Sequence, residues 1–321
     1  MSDRDHLEPG AEVPDSGRSG LGIATSKAPS AIPVDRLAER RRKPRWPWLL
    51  IAPAIIYLVL TFLVPNLLIF VTSVFHFESN QFVPGFTLEH YGRFLGDSYY
   101  LRILYMTVGL GVAVGLSTVV AGYPLAYFLT RSTSVWRKPL LAITLLPLIV
   151  SVVVRTYGWI VMLDSNGIIN QTLLLLGIIE WPLQMMHRYG AVYIGLTYVL
   201  LPYSVLSIMT ALQAVDPRLE QASMDLGAGR FRTFHRITLP LILPGILTGF
   251  VLTFAITVSA YATPRVLGGR PGQTMATLMY DFMIFLLHWP FASTIAVISL
   301  VTAASVLAIV LKIAARRTVA T

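Results

Sequence analysis

Residues 216–263 read DPRLEQASMDLGAGRFRTFHRITLPLILPGILTGFVLTFAITVSAYAT. The stretch up to Pro240 is charged and broken by glycine; from Leu241 to Thr263 no Asp, Glu, Lys or Arg occurs. An uncharged run of this kind reaches the roughly 20 residues a helix needs to cross the hydrocarbon core of a bilayer. Five more apolar blocks occur, at about 48–76, 103–130, 138–163, 189–213 and 291–313. A helix pairs every backbone polar group within its own segment, which lipid requires. The short alternating strands of a membrane barrel are not in evidence. The expected fold is therefore an all-α membrane protein with six transmembrane helices.

Composition agrees. Of the 321 residues 55% are hydrophobic and 13% charged, about half the charged share of a soluble domain. The formal charge of +9 sits in short segments beside apolar blocks, so it reads as an orientation signal rather than a nucleic-acid surface. The basic segments are the N-terminal tail with Arg36–Arg45, the 131–138 loop, the 214–240 loop and the C-terminal tail. Both termini and the 214–240 loop are expected in the cytoplasm. Residues 1–45 read as a disordered basic tail, 46–316 as the membrane domain and 317–321 as a short tail. No signal peptide is expected; the block after Arg45 reads as an uncleaved anchor. With no cysteine, disulfides and thiolate chemistry are excluded.

Smaller features follow. Prolines at 53, 65, 124, 147, 202 and 244 fall within blocks and are expected to kink helices. The pairs Gly111/Gly115 and Gly245/Gly249 permit close helix approach, expected within the subunit. Residues 168–179 are apolar but too short to span, and predict a short helix lying on the outer surface.

The 214–240 loop carries the functional information. Asp216 is placed to cap a helix beginning at Pro217. Glu220 falls in its first turn, and Gly227 is its expected stop. A second short helix should follow, with Arg230, Arg232 and Arg236 as its charges and Phe231, Phe234 and Ile237 as apolar contacts. Pro240 is expected to end it. A compact helix–turn–helix of this kind is either a knob for another protein's groove or a connector resting on lipid headgroups. A DNA-binding role is improbable, because both ends are tethered to spanning helices.

The loop resembles the EAA signature of ABC importer permeases: Glu-Ala-Ala, three residues, Gly, nine residues, Ile, one residue, Leu-Pro. Gln221, Ala222 and Ser223 hold the first three places, then Gly227, Ile237, Leu239 and Pro240. Gln221 replaces the glutamate and Ser223 the second alanine, with Glu220 supplying an acid one position earlier. FTLEHYGRFLGDSYYLRIL (86–104), GYPLAYFLTRS (122–132), VVRTYGWIVMLDSNGIIN (153–170) and HWPFASTIAV (288–297) are similar to the spermidine/putrescine-type subfamily. The resemblance implies a type I importer permease fold with a cytoplasmic coupling helix. It implies a second homologous permease, two ATP-binding subunits and an external solute-binding protein as partners, with membrane lipid around them. Glu220, Gln221, Ala222, Ser223, Gly227, Ile237, Leu239 and Pro240 would couple to the ATPase.

No phosphate-binding Gly-x-x-x-x-Gly-Lys-Ser/Thr or His-Glu-x-x-His occurs. The chain is therefore expected to be a transport subunit without cofactor, magnesium-ATP being bound by a partner. Candidates for a solute path are Arg155, Tyr157, Trp159, Asp164, Tyr198, Tyr203 and Tyr261. Aromatic faces suit a polyamine or a related cation, though packing or lipid contact would equally account for them. Arg155 is expected to face the bundle near Asp164 or an aqueous vestibule; a guanidinium there would equally favour an anionic solute. A stand-alone secondary transporter is the alternative, but the intramembrane acids it would prefer are not evident. A scaffold without substrate is the third reading.

Overall fold

Three helices make the centre of the bundle: α3 (Ser98–Arg131), α7 (Tyr189–Ala214) and α10 (Leu239–Ser259). Asp97 starts α3 by accepting from the Tyr99 amide at 2.8 Å. The pairs Gly111/Gly115 and Gly245/Gly249 both pack inside this subunit. Gly111 and Gly115 leave room on α3 for Phe254 and Phe250 of α10, and Gly245 and Gly249 bring α10 onto Ser207 and Ser204 of α7. Buried threonines return their hydroxyls to the helix, Thr253 to the Gly249 carbonyl and Thr257 to the Thr253 carbonyl. These hydroxyls are thereby satisfied within their own helix. One end of the bundle is closed by Ala126, Leu129, Val205, Ile208, Leu212 and Ile242. The other is closed by Val192, Leu196, Leu200, Leu163 and Leu267.

The computed structural model describes residues 46–78 and 81–318. The basic tail over 1–45 and the last residues of the C-terminal tail lie outside the described residues. The chain divides into Met1–Ile56 and Tyr57–Thr321. Of the first unit only the start of α1 (Trp46–Thr72) is described. From Tyr57 on, α1 is exposed along its length and attaches at its end, where Thr72 donates to Ser293 at 2.8 Å.

The third apolar block does not form one straight helix. It folds as α4 (Arg137–Ile149) and α5 (Val152–Leu163), and a bend of 104° separates α4 from the helical stretch running on to Leu175. In an unbroken helix the Pro147 carbonyl would accept from the amide of residue 151. Here Val150 and Ser151 are extended, and the Arg155 guanidinium takes the Pro147 carbonyl. Arg155 thus satisfies the group freed by the break rather than pairing with Asp164. An irregular turn at membrane depth needs such a partner. Leu140 and Leu141 pack at one end of the bundle and Trp159 and Leu163 at the other. Among the described residues five helices are long and apolar enough to span, or six with the bent pair as one crossing. The expected short helix is α6 (Ile168–Leu175), held by Asn170, whose side chain bonds the Leu183 backbone in both directions.

The segment between α1 and α3 holds a hairpin: β1 (Phe75–Glu78) pairs antiparallel with β2 (Gln81–Phe86), followed by α2 (Glu89–Gly96). These pack beside the start of α12 (Trp289–Thr318), where His288 lies 4.9 Å from the Phe77 ring and 5.3 Å from that of His90. The His288 Nδ1 accepts from the Phe291 amide at 3.3 Å and so caps α12. Burial, and then the nearby His90, hold its pKa below the usual 6.5. The unfolded chain therefore binds this proton first as pH falls. The stability that neutral His288 contributes is present above 6.5 and lost as pH drops through the lower folded value. The melting temperature should fall between pH 7.5 and 5.5, and His288→Asn, which caps without titrating, should flatten that dependence. An unchanged slope in the variant would remove His288 as the cause.

Candidate functional site

The loop between α7 and α10 folds much as its residues dictate. Asp216 accepts from the Arg218 amide at 2.9 Å and Pro217 opens α8 (Pro217–Asp225). Gly227 ends it with φ of +84°, the left-handed conformation. The Gly227 amide bonds the Met224 carbonyl and the Ala228 amide bonds the Ser223 carbonyl, a Schellman closure that satisfies two of the acceptors at the helix end. Ser223 and Thr233 share a 3.0 Å hydroxyl bond that ties α8 to α9 (Arg230–Thr233).

The second half departs from expectation. Pro240 does not end a helix. From α9 the chain runs through a π-helical turn, Phe234–Thr238, into α10 as one helical stretch from Arg230 to Ser259. The wide turn sends the Leu239 amide to the Phe234 carbonyl, five residues back. The register is reset just where Pro240 lacks an N–H, so the ring is accommodated. Phe234 packs on Tyr123 with centroids 4.9 Å apart, but Phe231, expected as an internal contact, is 78% exposed.

The signature residues divide between two sides. Ala222, Ser223, Gly227 and Ile237 line an outward groove of about 530 Å³ together with Leu219, Leu226, Arg232 and Arg236. Leu226 is 89% exposed at its rim, and Gln221 is exposed beside it. Exposed apolar side chains rimmed by guanidinium groups make a surface suited to an acidic protein partner. Glu220 turns the other way and is 7% exposed. Its carboxylate accepts from Arg131 at 3.3 Å and from the Tyr127 hydroxyl at 3.1 Å. Sequence reading missed both partners, having taken Arg131 as an orientation charge alone.

At the opposite end the path candidates scatter. Trp159 and Tyr198 meet edge-on at 5.6 Å, while Tyr157 is 65% exposed and Tyr203 points outward on α7. Tyr261 packs against Tyr280, tilted by 36° with centroids 4.5 Å apart. Asp164 is exposed and accepts from the Asn166 amide. A polar group that sequence reading did not single out lies near Tyr261: Asp281 accepts from Arg265 at 2.7 Å and from Gln273 at 2.9 Å, and Gln273 accepts from Tyr99. Arg265 and Asp281 each stand in a π-helical turn, Pro264–Gly268 and Asp281–Phe285, separated by α11 (Met275–Tyr280). No residue spacing signals such turns.

Known proteins agree with this architecture. Residues 118–319 match the family described as binding-protein-dependent transport system inner membrane component. The chain belongs to this family. Spermidine/putrescine transport system permease protein PotB of Salmonella typhimurium is 33% identical over 238 residues, covering 74% of this chain and 83% of the relative. The protein of that name in Escherichia coli K12 is also 33% identical, with 86% of its length covered. A bacterial alginate ABC transporter, solved with an alginate pentasaccharide-bound periplasmic protein, shares the fold: TM-score 0.71, 18% identity, covering 85% of this chain and 96% of that one. This family member is thus a multi-pass inner-membrane permease subunit of an ABC importer, a transport component and not an enzyme.

Proposed function

We propose that the protein imports a small amine, a polyamine or a close relative, received from an external binding protein. A second permease subunit completes the path, and two ATP-binding subunits, which carry the magnesium-ATP, drive alternating access. The 214–240 loop and both termini lie in the cytoplasm. The observation that carries this reading is the outward groove: four signature residues, Ala222, Ser223, Gly227 and Ile237, line one exposed, Arg-rimmed surface. Gln221 borders that surface, and Leu239 and Pro240 connect it to α10. The amine is supported by the PotB relatives and by exposed aromatic faces at Tyr157, Tyr198 and Tyr203, since such faces attract ammonium groups. Trp159 meets Tyr198 edge-on and extends that aromatic surface.

The test is reconstitution of the chain with its partner permease, ATP-binding subunits and binding protein in proteoliposomes. Labelled putrescine or spermidine should enter only with ATP and binding protein present. Uptake by this chain alone under an ion gradient would sink the proposal.

A further inference from the structure

We infer that Glu220 and Arg131 form a latch that fixes the pose of the coupling loop on α3, so that Glu220 is a positioning residue rather than a contact to the ATP-binding partner. The inference rests on the coupling role proposed above for the loop. Within α8, Glu220 is the one buried residue. Each of its carboxylate oxygens meets α3: Oε1 accepts from Arg131 Nη2 and Oε2 from the Tyr127 hydroxyl. Tyr127 and Arg131 are four apart, hence on the same face of α3. Arg131 Nη2 also donates to the Val215 carbonyl at 3.0 Å, at the root of the loop where α7 ends. One guanidinium therefore joins the loop helix, the loop root and the last residue of α3. The two side chains are only 15% and 10% exposed, so water screens their attraction little.

The latch answers a mechanical need. The second half of the loop is continuous with α10 through the π-helical turn, so its displacement reaches that helix directly. The first half, α8, continues from α7 at Val215 and reaches α10 only through the glycine turn at 227–229 and the Ser223–Thr233 hydroxyl bond. With the latch closed, a push on the outward groove moves α3, α7 and α10 together; with it open, α8 can yield while the bundle stays still. The acid has to stand at 220 for this. One residue along an α-helix turns the side chain by about 100°, and position 221 faces outward.

In the reconstituted complete importer, the quantity to measure is solute carried per ATP hydrolysed. Glu220→Ala and Arg131→Ala should each lower that ratio about tenfold or more, because each leaves a buried charge without its partner. Tyr127→Phe, which removes one hydroxyl, should lower it by less. The charge-swapped pair Glu220→Arg with Arg131→Glu restores the ion pair, though not the bond to the Val215 carbonyl, and should recover part of the ratio. A fall in the ratio of the single variants with assembly and ATP hydrolysis intact is the result that a merely structural role would not give. A wild-type ratio in Glu220→Ala overturns the latch. So does a failure of the single variants to assemble that the swapped pair does not repair. If instead the wild-type complex carries no solute with ATP, the importer reading itself has failed, and the latch falls with it.

Discussion

Valine in place of Gly245 will separate α10 from α7 and keep the protein from accumulating as a folded membrane species. A Cβ at this position would stand 2.3 Å from the Cβ of Ala211 and 2.9 Å from the Ser207 carbonyl oxygen. A flexible side chain could swing away; a helix backbone cannot. Overpacking costs about 1–3 kcal/mol in ordinary cores, and here the whole helix must move, which places the effect at or above that range. Membrane helices associate through such close contact rather than through a hydrophobic drive. Opening the seam also disturbs Gly249 against Ser204, one turn further on. Gly109 on α3 gives the matched control. Nothing lies within 4 Å of a Cβ there, and alanine is favoured over glycine inside a helix by about 1 kcal/mol. Gly109→Ala should melt at or above the wild-type temperature in detergent, while Gly245→Val should aggregate or melt well below it. Equal melting of the two variants would mean that this seam does not hold the bundle together.

These contrasts mark where sequence was readable. Features decided by one residue and its chain neighbours could be read directly. Asp216–Pro217 starts a helix and Gly227 stops it because capping is local chemistry, and both are observed. The apolar blocks were equally plain, since length against bilayer thickness is a one-dimensional test. What failed depends on partners distant in sequence or on altered helical register. The bend of the third block needs a donor for the Pro147 carbonyl, and Arg155 supplies it only after the chain has turned. Pro240 reads as a breaker unless the turn before it is known to be wide. Glu220 sits among signature residues, yet it faces inward because Arg131 and Tyr127, about ninety residues earlier, wait on α3. The pair formed by Arg265 and Asp281 was invisible for the same reason.

A β-branched residue at Gly227 will uncouple the transporter without unfolding it. The site is open, with nothing within 4 Å of a Cβ, so no clash arises. The cost is conformational: φ is +84°, a region that charges an L-residue about 1–2 kcal/mol and a β-branched one more. Relief comes from a negative φ, which breaks the bonds from Gly227 to Met224 and from Ala228 to Ser223. The chain would then leave α8 in another direction and carry Leu226 and Arg232 out of the shared groove. A penalty of 1.4 kcal/mol already shifts a population about tenfold, so Gly227→Val should cut ATP-driven uptake by at least about that factor. The bundle core contains no part of this turn, so the amount and melting temperature of the variant should stay near wild type. Asparagine enters the left-handed region more readily, and Gly227→Asn should retain most uptake. Capture of the ATP-binding subunits by each variant would show whether the loss lies in docking. If Gly227→Val transports as well as the wild type, the turn's geometry does not govern coupling, and the case for this loop as the contact to the motor is lost.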